Sequence, residues 1–283
     1  MEYSDFERQI CAEVRERLKD FSEVEVELGK ATGINRSGTI LRVMRGRVGT
    51  VFYLSGRQDS VDEIVESIVN SALPDDSTEE WLFRVSEQCR DVEFVKEHVR
   101  PVLISASGDS TQELVSSSIF DLKIVYRIFL SDDAGVAVSE TLQQQLGISK
   151  EDLHKAAIAN VKPAVYKMCD LFPQLNEIDG LDPMTVISVQ DYNYGAFTML
   201  DDKILQNVAE SMGGDLVILP SSVHEVIAVP FISDLDGLRS MVDEINQTVI
   251  DSRDVLSSSV YVYSKDRHEL ACDGYEPVDL RSL

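Results

Sequence analysis

The sequence of 283 residues predicts an α+β fold. Three patterns point to it: a four-residue apolar spacing at the N-terminus, strictly alternating strands joined by turn residues directly after it, and a β-α-β-β-α-β order in the last hundred residues. At about 150 residues per domain the length favours two parts. We place residues 1–100 in the first (a helix, a three-stranded antiparallel meander and two helices) and 101–283 in a mixed α+β part that ends in the β-α-β-β-α-β unit, 184–264.

Phe6, Ile10, Val14 and Leu18 form one stripe of a helix over residues 2–20. Val24-Glu25-Val26-Glu27-Leu28 alternates as a half-buried strand does; Gly33, Asn35, Ser37 and Gly38 supply turns, and 40–44 and 48–54 complete the meander. Ser60 with Glu63 forms a capping-box pattern ahead of Val61, Ile64, Val65, Ile68 and Val69. A further helix is expected from Thr78 to about His98, with Trp81, Leu82, Val85, Cys89 and Val92 inward and Pro101 as its stop. A strand at 102–104, a polar loop at 105–118, a β-branched strand at 120–130 and a hairpin turn at Asp132-Asp133-Ala134-Gly135 follow. Helices are expected at 139–146 and 149–169, the second capped by Ser149 and kinked or broken near its middle by Pro163.

The C-terminal unit reads as strand 184–190, helix 200–212, strands 215–219 and 223–230, helix 235–251 and strand 258–264. Gly213-Gly214 permits a left-handed end to the first helix. The order matches the ferredoxin-like split βαβ arrangement, with both helices on one face of an antiparallel sheet.

With 43% hydrophobic and 27% charged residues the chain is of globular type. Its formal net charge of −24 repels nucleic acid and anionic lipid at long range, so DNA binding by the whole surface is not expected. No apolar run reaches the ~18–20 residues of a membrane span, and the acidic start lacks the pattern of a secretory signal. Cys11, Cys89, Cys169 and Cys272 lie far apart with no C-x-x-C pair, which fits reduced thiols and a cytoplasmic location. No cofactor or metal is expected: phosphate-loop, dinucleotide, nucleophile-elbow and EF-hand signatures are absent. His224-Glu225-Val226-Ile227-Ala228 has alanine where a zincin needs its second histidine, and His268 with Cys272 is one pair rather than a site.

Two segments carry candidate chemistry. In Pro220-Ser221-Ser222-Val223-His224-Glu225, two hydroxyls, an imidazole and a carboxylate lie between apolar strands. Ser221 or Ser222 as nucleophile, His224 as base and Glu225 as orienter would make a hydrolase or transferase, whereas ordinary turn chemistry explains the same residues structurally. From Leu28 to Gln58 the chain contains Lys30, Arg36, Arg42, Arg45, Arg47 and Arg57 and no acid, a candidate site for phosphate, RNA or an acidic partner. A solvated or self-docked basic face is the simpler account of that stretch.

Leu216-Val217-Ile218-Leu219-Pro220-Ser221-Ser222-Val223-His224-Glu225-Val226-Ile227, preceded by Gly195-Ala196-Phe197-Thr198-Met199-Leu200, resembles the C-terminal signature of an uncharacterised bacterial family, a domain of unknown function from gut anaerobes. The resemblance extends more weakly through Phe120 to Tyr126 and Gly33 to Leu54, and the element order is similar to that of the uncharacterised YtpQ-like family. The chain departs from the family pattern at Ile104 to Ser110 and at Ser117-Ser118. The resemblance implies a soluble bacterial protein and transfers no activity. The expected function is therefore binding, with a protein or small-molecule partner; the hydrolase and anion-binding readings stand as alternatives, and the oligomeric state is open.

Overall fold

A computed structural model describes residues 3–33, 36–45, 48–54, 59–71, 76–106, 113–131, 134–171, 173 and 184–283, with the backbone alone for 31–33, 36–37, 48, 76–79 and 82. The contacts divide the chain near residue 95 into two compact units.

In the first unit, helix α1 (Asp5–Arg17) starts at a capping box: Glu7 N–H donates to Ser4 Oγ at 3.2 Å and Ser4 N–H to Glu7 Oε2 at 2.8 Å. Strands β1 (Val24–Gly33), β2 (Arg36–Arg45) and β3 (Val48–Tyr53) form the antiparallel meander, in register Val26↔Val43 and Leu28↔Leu41. Ser60 and Glu63 cap α2 (Val61–Ser71) reciprocally. Period two on the sheet and period 3.6 on the helices bring Val26, Leu41 and Val43 against Ile10, Val14, Ile64, Val65 and Ile68, all buried. Each such side chain stabilises the fold by roughly 1.5–3 kcal/mol.

The single helix expected over 78–98 is two, α3 (Asp76–Gln88) and α4 (Val92–His98). Asp91 causes the break: its Oδ1 accepts the Glu93 N–H at 2.9 Å, so the chain restarts with a fresh cap. Trp81, expected inward, is exposed.

The second unit contains a four-stranded sheet of β4 (Val99–Ser105), β5 (Ser116–Ile119), β6 (Leu122–Phe129) and β7 (Gly135–Ala137), all antiparallel to β6. Pro101 stops no helix. It lies within β4, an edge strand, where its missing N–H leaves no ladder bond unmade. Part of the loop expected at 105–118 is strand β5. The hairpin turn expected at 132–135 joins β6 to β7, with Asp132 and Asp133 outside the described residues.

After α5 (Glu140–Leu146), α6 (Lys150–Ala159) ends well short of residue 169. Pro163 starts β8 (Pro163–Lys167) rather than kinking a helix, and the four-residue α7 (Met168–Leu171) follows. Proline is tolerated there because β8 is the outer strand of the second sheet.

That sheet joins β8 to β9 (Thr185–Val189), β10 (Leu216–Leu219), β11 (Val226–Pro230), β12 (Tyr261–Ser264), β13 (Glu269–Cys272) and β14 (Val278–Asp279) in the order β14-β13-β12-β10-β11-β9-β8, antiparallel throughout. A 3-10 turn, Gly195–Leu200, leads into α8 (Asp202–Met212), which Gly213 ends at φ +80°; α9 is Leu235–Thr248. The expected strand 223–230 is shorter, because residues 220–225 form a loop.

The β-α-β-β-α-β succession is present, but the ferredoxin-like sheet is not. In that arrangement the first strand lies between the third and fourth; here β10, the second, does. The helices do not share a face either. Val242 of α9 packs with Val217 and Val229, whereas Tyr263, paired with Leu216 on the opposite side of the pleat, donates its hydroxyl to Asp202 of α8 at 2.6 Å. Exchanging β9 and β10 leaves every strand direction unchanged, and two right-handed crossovers then put their helices on opposite faces.

Candidate functional site

The turn at 220–225 is held from three sides. His224 C=O accepts the Gly195 N–H at 2.9 Å and the Ser188 hydroxyl at 2.7 Å, and Val223 N–H donates to Asp254 C=O at 2.8 Å. Gly195 is required there: a Cβ would lie 2.7 Å from the His224 oxygen and 2.6 Å from Val189 N. Ser222 Oγ accepts the His224 N–H and donates to Glu225 Oε1, both at 3.0 Å. The His224 ring turns elsewhere. Its Nδ1 accepts the Tyr194 N–H at 3.2 Å, which places the proton on Nε2, 3.5 Å from Asp254 Oδ1.

The structure thus joins Ser222 to Glu225 and leaves the His224 ring bonded to neither serine. Ser221 is half-buried and makes no side-chain hydrogen bond among the described residues. Tyr194 and Asp254, distant in sequence from the turn, are the ring's partners, and no local signal marks them. Tyr192 and Tyr194 both adopt left-handed backbone, at φ +53° and +56°. Behind them the Arg127 guanidinium lies 5.1 Å from the Tyr194 ring, and Arg100 lies 3.7 Å from that of Phe129.

The basic meander is partly compensated. Lys30 Nζ donates to Thr39 Oγ1 at 2.7 Å and lies 5.9 Å from the Tyr3 ring. Arg42 is exposed opposite Glu27, and Arg45 is exposed opposite Val24. Arg36 is described by its backbone alone, and Arg47 and Arg57 fall outside the described residues.

A third site did not stand out in the sequence. In the second unit two adjoining cavities of about 610 and 470 Å³ share Ile124, His154 and Leu283. Tyr126 Oη lies 2.9 Å from His154 Nδ1. Ser117 hydrogen-bonds the phenol oxygen in the sense that eases its ionisation, so the phenol proton is directed to Nδ1; burial nevertheless pushes Tyr126 up to about 12. Burial, assisted by nearby Lys150, lowers the pKa of His154, which favours the neutral ring with its proton on Nε2.

The smaller cavity has walls of Ile158, Val161, Pro163, Phe197 and Leu280, with Asp201, Asp202, Lys203 and Arg281 as its charged members. Asp201 caps α8 by accepting the Lys203 and Ile204 N–H groups. Asp202 accepts the Tyr263 hydroxyl and pairs with His268 Nδ1 at 2.9 Å. Arg281 binds Asp279 through Nε and Nη2. Cys272, weighed in the sequence as a partner for His268, is instead buried near Asp121, and burial pushes its thiol up to about 11.

A family model described as Family of unknown function (DUF5688) matches residues 3–265. The chain belongs to this family. The DUF5688 span takes in the turn, the meander and, of the cavity lining, Tyr126, Lys150, His154 and Lys203; Leu280 and Arg281 lie beyond it. No curated protein and no solved structure gives a match. Among the described residues, no group of three or more His, Cys, Asp or Glu is placed to hold a metal ion, and no helix is long and apolar enough to cross a membrane.

Proposed function

We propose that this chain is a binding protein without chemistry of its own, and that it holds a small molecule against His154 in the second unit. The observation that carries this reading is the position of His154. It lines both cavities, its Nδ1 is occupied by Tyr126, and its Nε2 has no protein partner among the described residues. The smaller cavity, at about 470 Å³, falls within the usual range for ligand sites, and its walls are mostly apolar with a few convergent polar groups.

The turn at 220–225 favours a holding role over the hydrolase alternative. A serine nucleophile needs its base within hydrogen-bond reach, and the His224 ring faces Tyr194 and Asp254 instead. Glu27 opposite Arg42 likewise favours a solvated basic face over RNA binding by the meander. The four free, widely spaced cysteines support a cytoplasmic setting, and the resemblance at 216–227 supports a bacterial source.

Ligand-observed NMR with a fragment library, run on the protein and on His154→Leu, tests the proposal. Fragments that bind the parent and not the variant support it. If every fragment that binds the parent also binds His154→Leu unchanged, or if a fluorophosphonate probe labels Ser221 or Ser222, the proposal fails.

A further inference from the structure

We infer that the ligand of the smaller cavity is an aliphatic carboxylate, with its chain along the apolar walls and its head group at Lys203. This inference rests on the reading of that cavity as a ligand site and names what it takes. In a chain of net charge −24 an anion is a partner that needs a local reason, and the polar groups around this cavity provide one. Both side-chain carboxylates of the lining are engaged: Asp201 by the first N–H groups of α8, Asp202 by Tyr263 and His268. Three donors are left over. Lys203 Nζ has no ion-pair or side-chain hydrogen-bond partner among the described residues, Arg281 uses Nε and Nη2 on Asp279 and keeps Nη1, and His154 keeps Nε2–H.

A ligand that replaces solvent there must therefore offer acceptors, and an ionised acceptor forms the stronger bond with lysine or arginine. The remaining wall is mostly hydrocarbon: Ile158, Val161, Phe197 and Leu280 favour an apolar body, and the Thr198 hydroxyl is spent on the Gly195 carbonyl. A single acidic head on an aliphatic chain satisfies both halves of the site, whereas a sugar or a free phosphate would leave the apolar wall uncovered.

The test is isothermal titration of the full chain with octanoate, octanol and octyl phosphate, each repeated on Lys203→Gln and Lys203→Arg. Lys203 is exposed on the first turn of α8, so its replacement spares the core. Saturable octanoate binding that weakens about tenfold in Lys203→Gln, recovers in Lys203→Arg and falls with added salt is expected, with octanol at least tenfold weaker than octanoate. Octanol binding as tightly as octanoate overturns the anionic head while leaving the cavity a ligand site. Octyl phosphate binding more tightly than octanoate overturns the carboxylate assignment. Octanoate binding that is unchanged in Lys203→Gln overturns the placement of the head group. No saturable binding of any of the three overturns the inference, and the fragment experiment above then decides separately whether the cavity binds anything.

Discussion

The turn at 220–225 and the cavities around His154 contrast in how their polar groups are used. The turn packs two serines, a histidine and a glutamate into five residues, and the structure engages three of these four side chains with one another or the scaffold: Ser222 with Glu225 and the His224 ring with Tyr194 and Asp254, while the His224 carbonyl is held by Gly195 and Ser188. His154 is separated by many residues from Tyr126, Lys203 and Arg281, yet these groups line the two cavities, and His154, Lys203 and Arg281 retain donors. Density of reactive side chains along a sequence is thus a poor guide to how many of them are left free to bind. Hydrogen-bonding capacity left unspent beside an apolar wall is the better one.

Substitutions in the turn sharpen this contrast through stability. The largest effect is expected for Gly195→Ala, whose methyl would collide with the His224 carbonyl and the β9 backbone: about 3 kcal/mol lost in urea unfolding. A loss under about 1 kcal/mol would mean that the turn can move, and the holding role would go with it. His224→Ala removes the acceptor for Tyr194 N–H beside a left-handed residue and is expected to cost about 2 kcal/mol. Octanoate affinity should be unchanged in His224→Ala, and a parallel loss of affinity would erase the distinction between the two regions.

On the other side of the comparison, Tyr126→Phe removes the donor that fixes the His154 ring, at about 1 kcal/mol of stability. Its sharper readout is the nitrogen-15 spectrum of His154, where the parent is expected as the Nε2–H tautomer and the variant as a mixture. A parent spectrum dominated by Nδ1–H would contradict the bonding described above.

The smallest effect is on pH dependence. Burial lowers the folded-state pKa of His154 below its ordinary 6.5, so between those two values the unfolded chain binds the extra proton and the folded chain does not. Stability therefore falls as the pH drops from about 6.5 toward the lower folded value, and levels off below it. His154→Gln should lose that slope when unfolding midpoints are compared across this window; an identical slope would show that His154 is not the group responsible.

Much of the fold was legible, for local reasons. The capping box at Ser60, the alternation in β1 and the left-handed end of α8 at Gly213 are each decided within a few residues, and each is present. Features that depend on partners far along the chain were not. Asp91 interrupts a helix whose apolar spacing runs straight through it, Pro101 and Pro163 sit in strands because those strands lie at sheet edges, and the places of β9 and β10 are fixed by pairing that leaves no trace in periodicity. The same reasoning explains the sites. The turn is contiguous and therefore conspicuous, whereas the cavity draws on α6, the 3-10 turn, α8 and the C-terminal segment, none of which carries a ligand-binding motif.

The position of β10 also has a consequence for synthesis. Helices on opposite faces leave the strand no side open to water, which is why Leu216-Val217-Ile218-Leu219 is buried at every position and apolar throughout. Its two neighbours, β11 and β12, are both made after it. A nascent chain therefore carries an uncovered, β-prone segment past the ribosome exit until Tyr261–Ser264 has followed, and during that interval two growing chains are most at risk of joining through it.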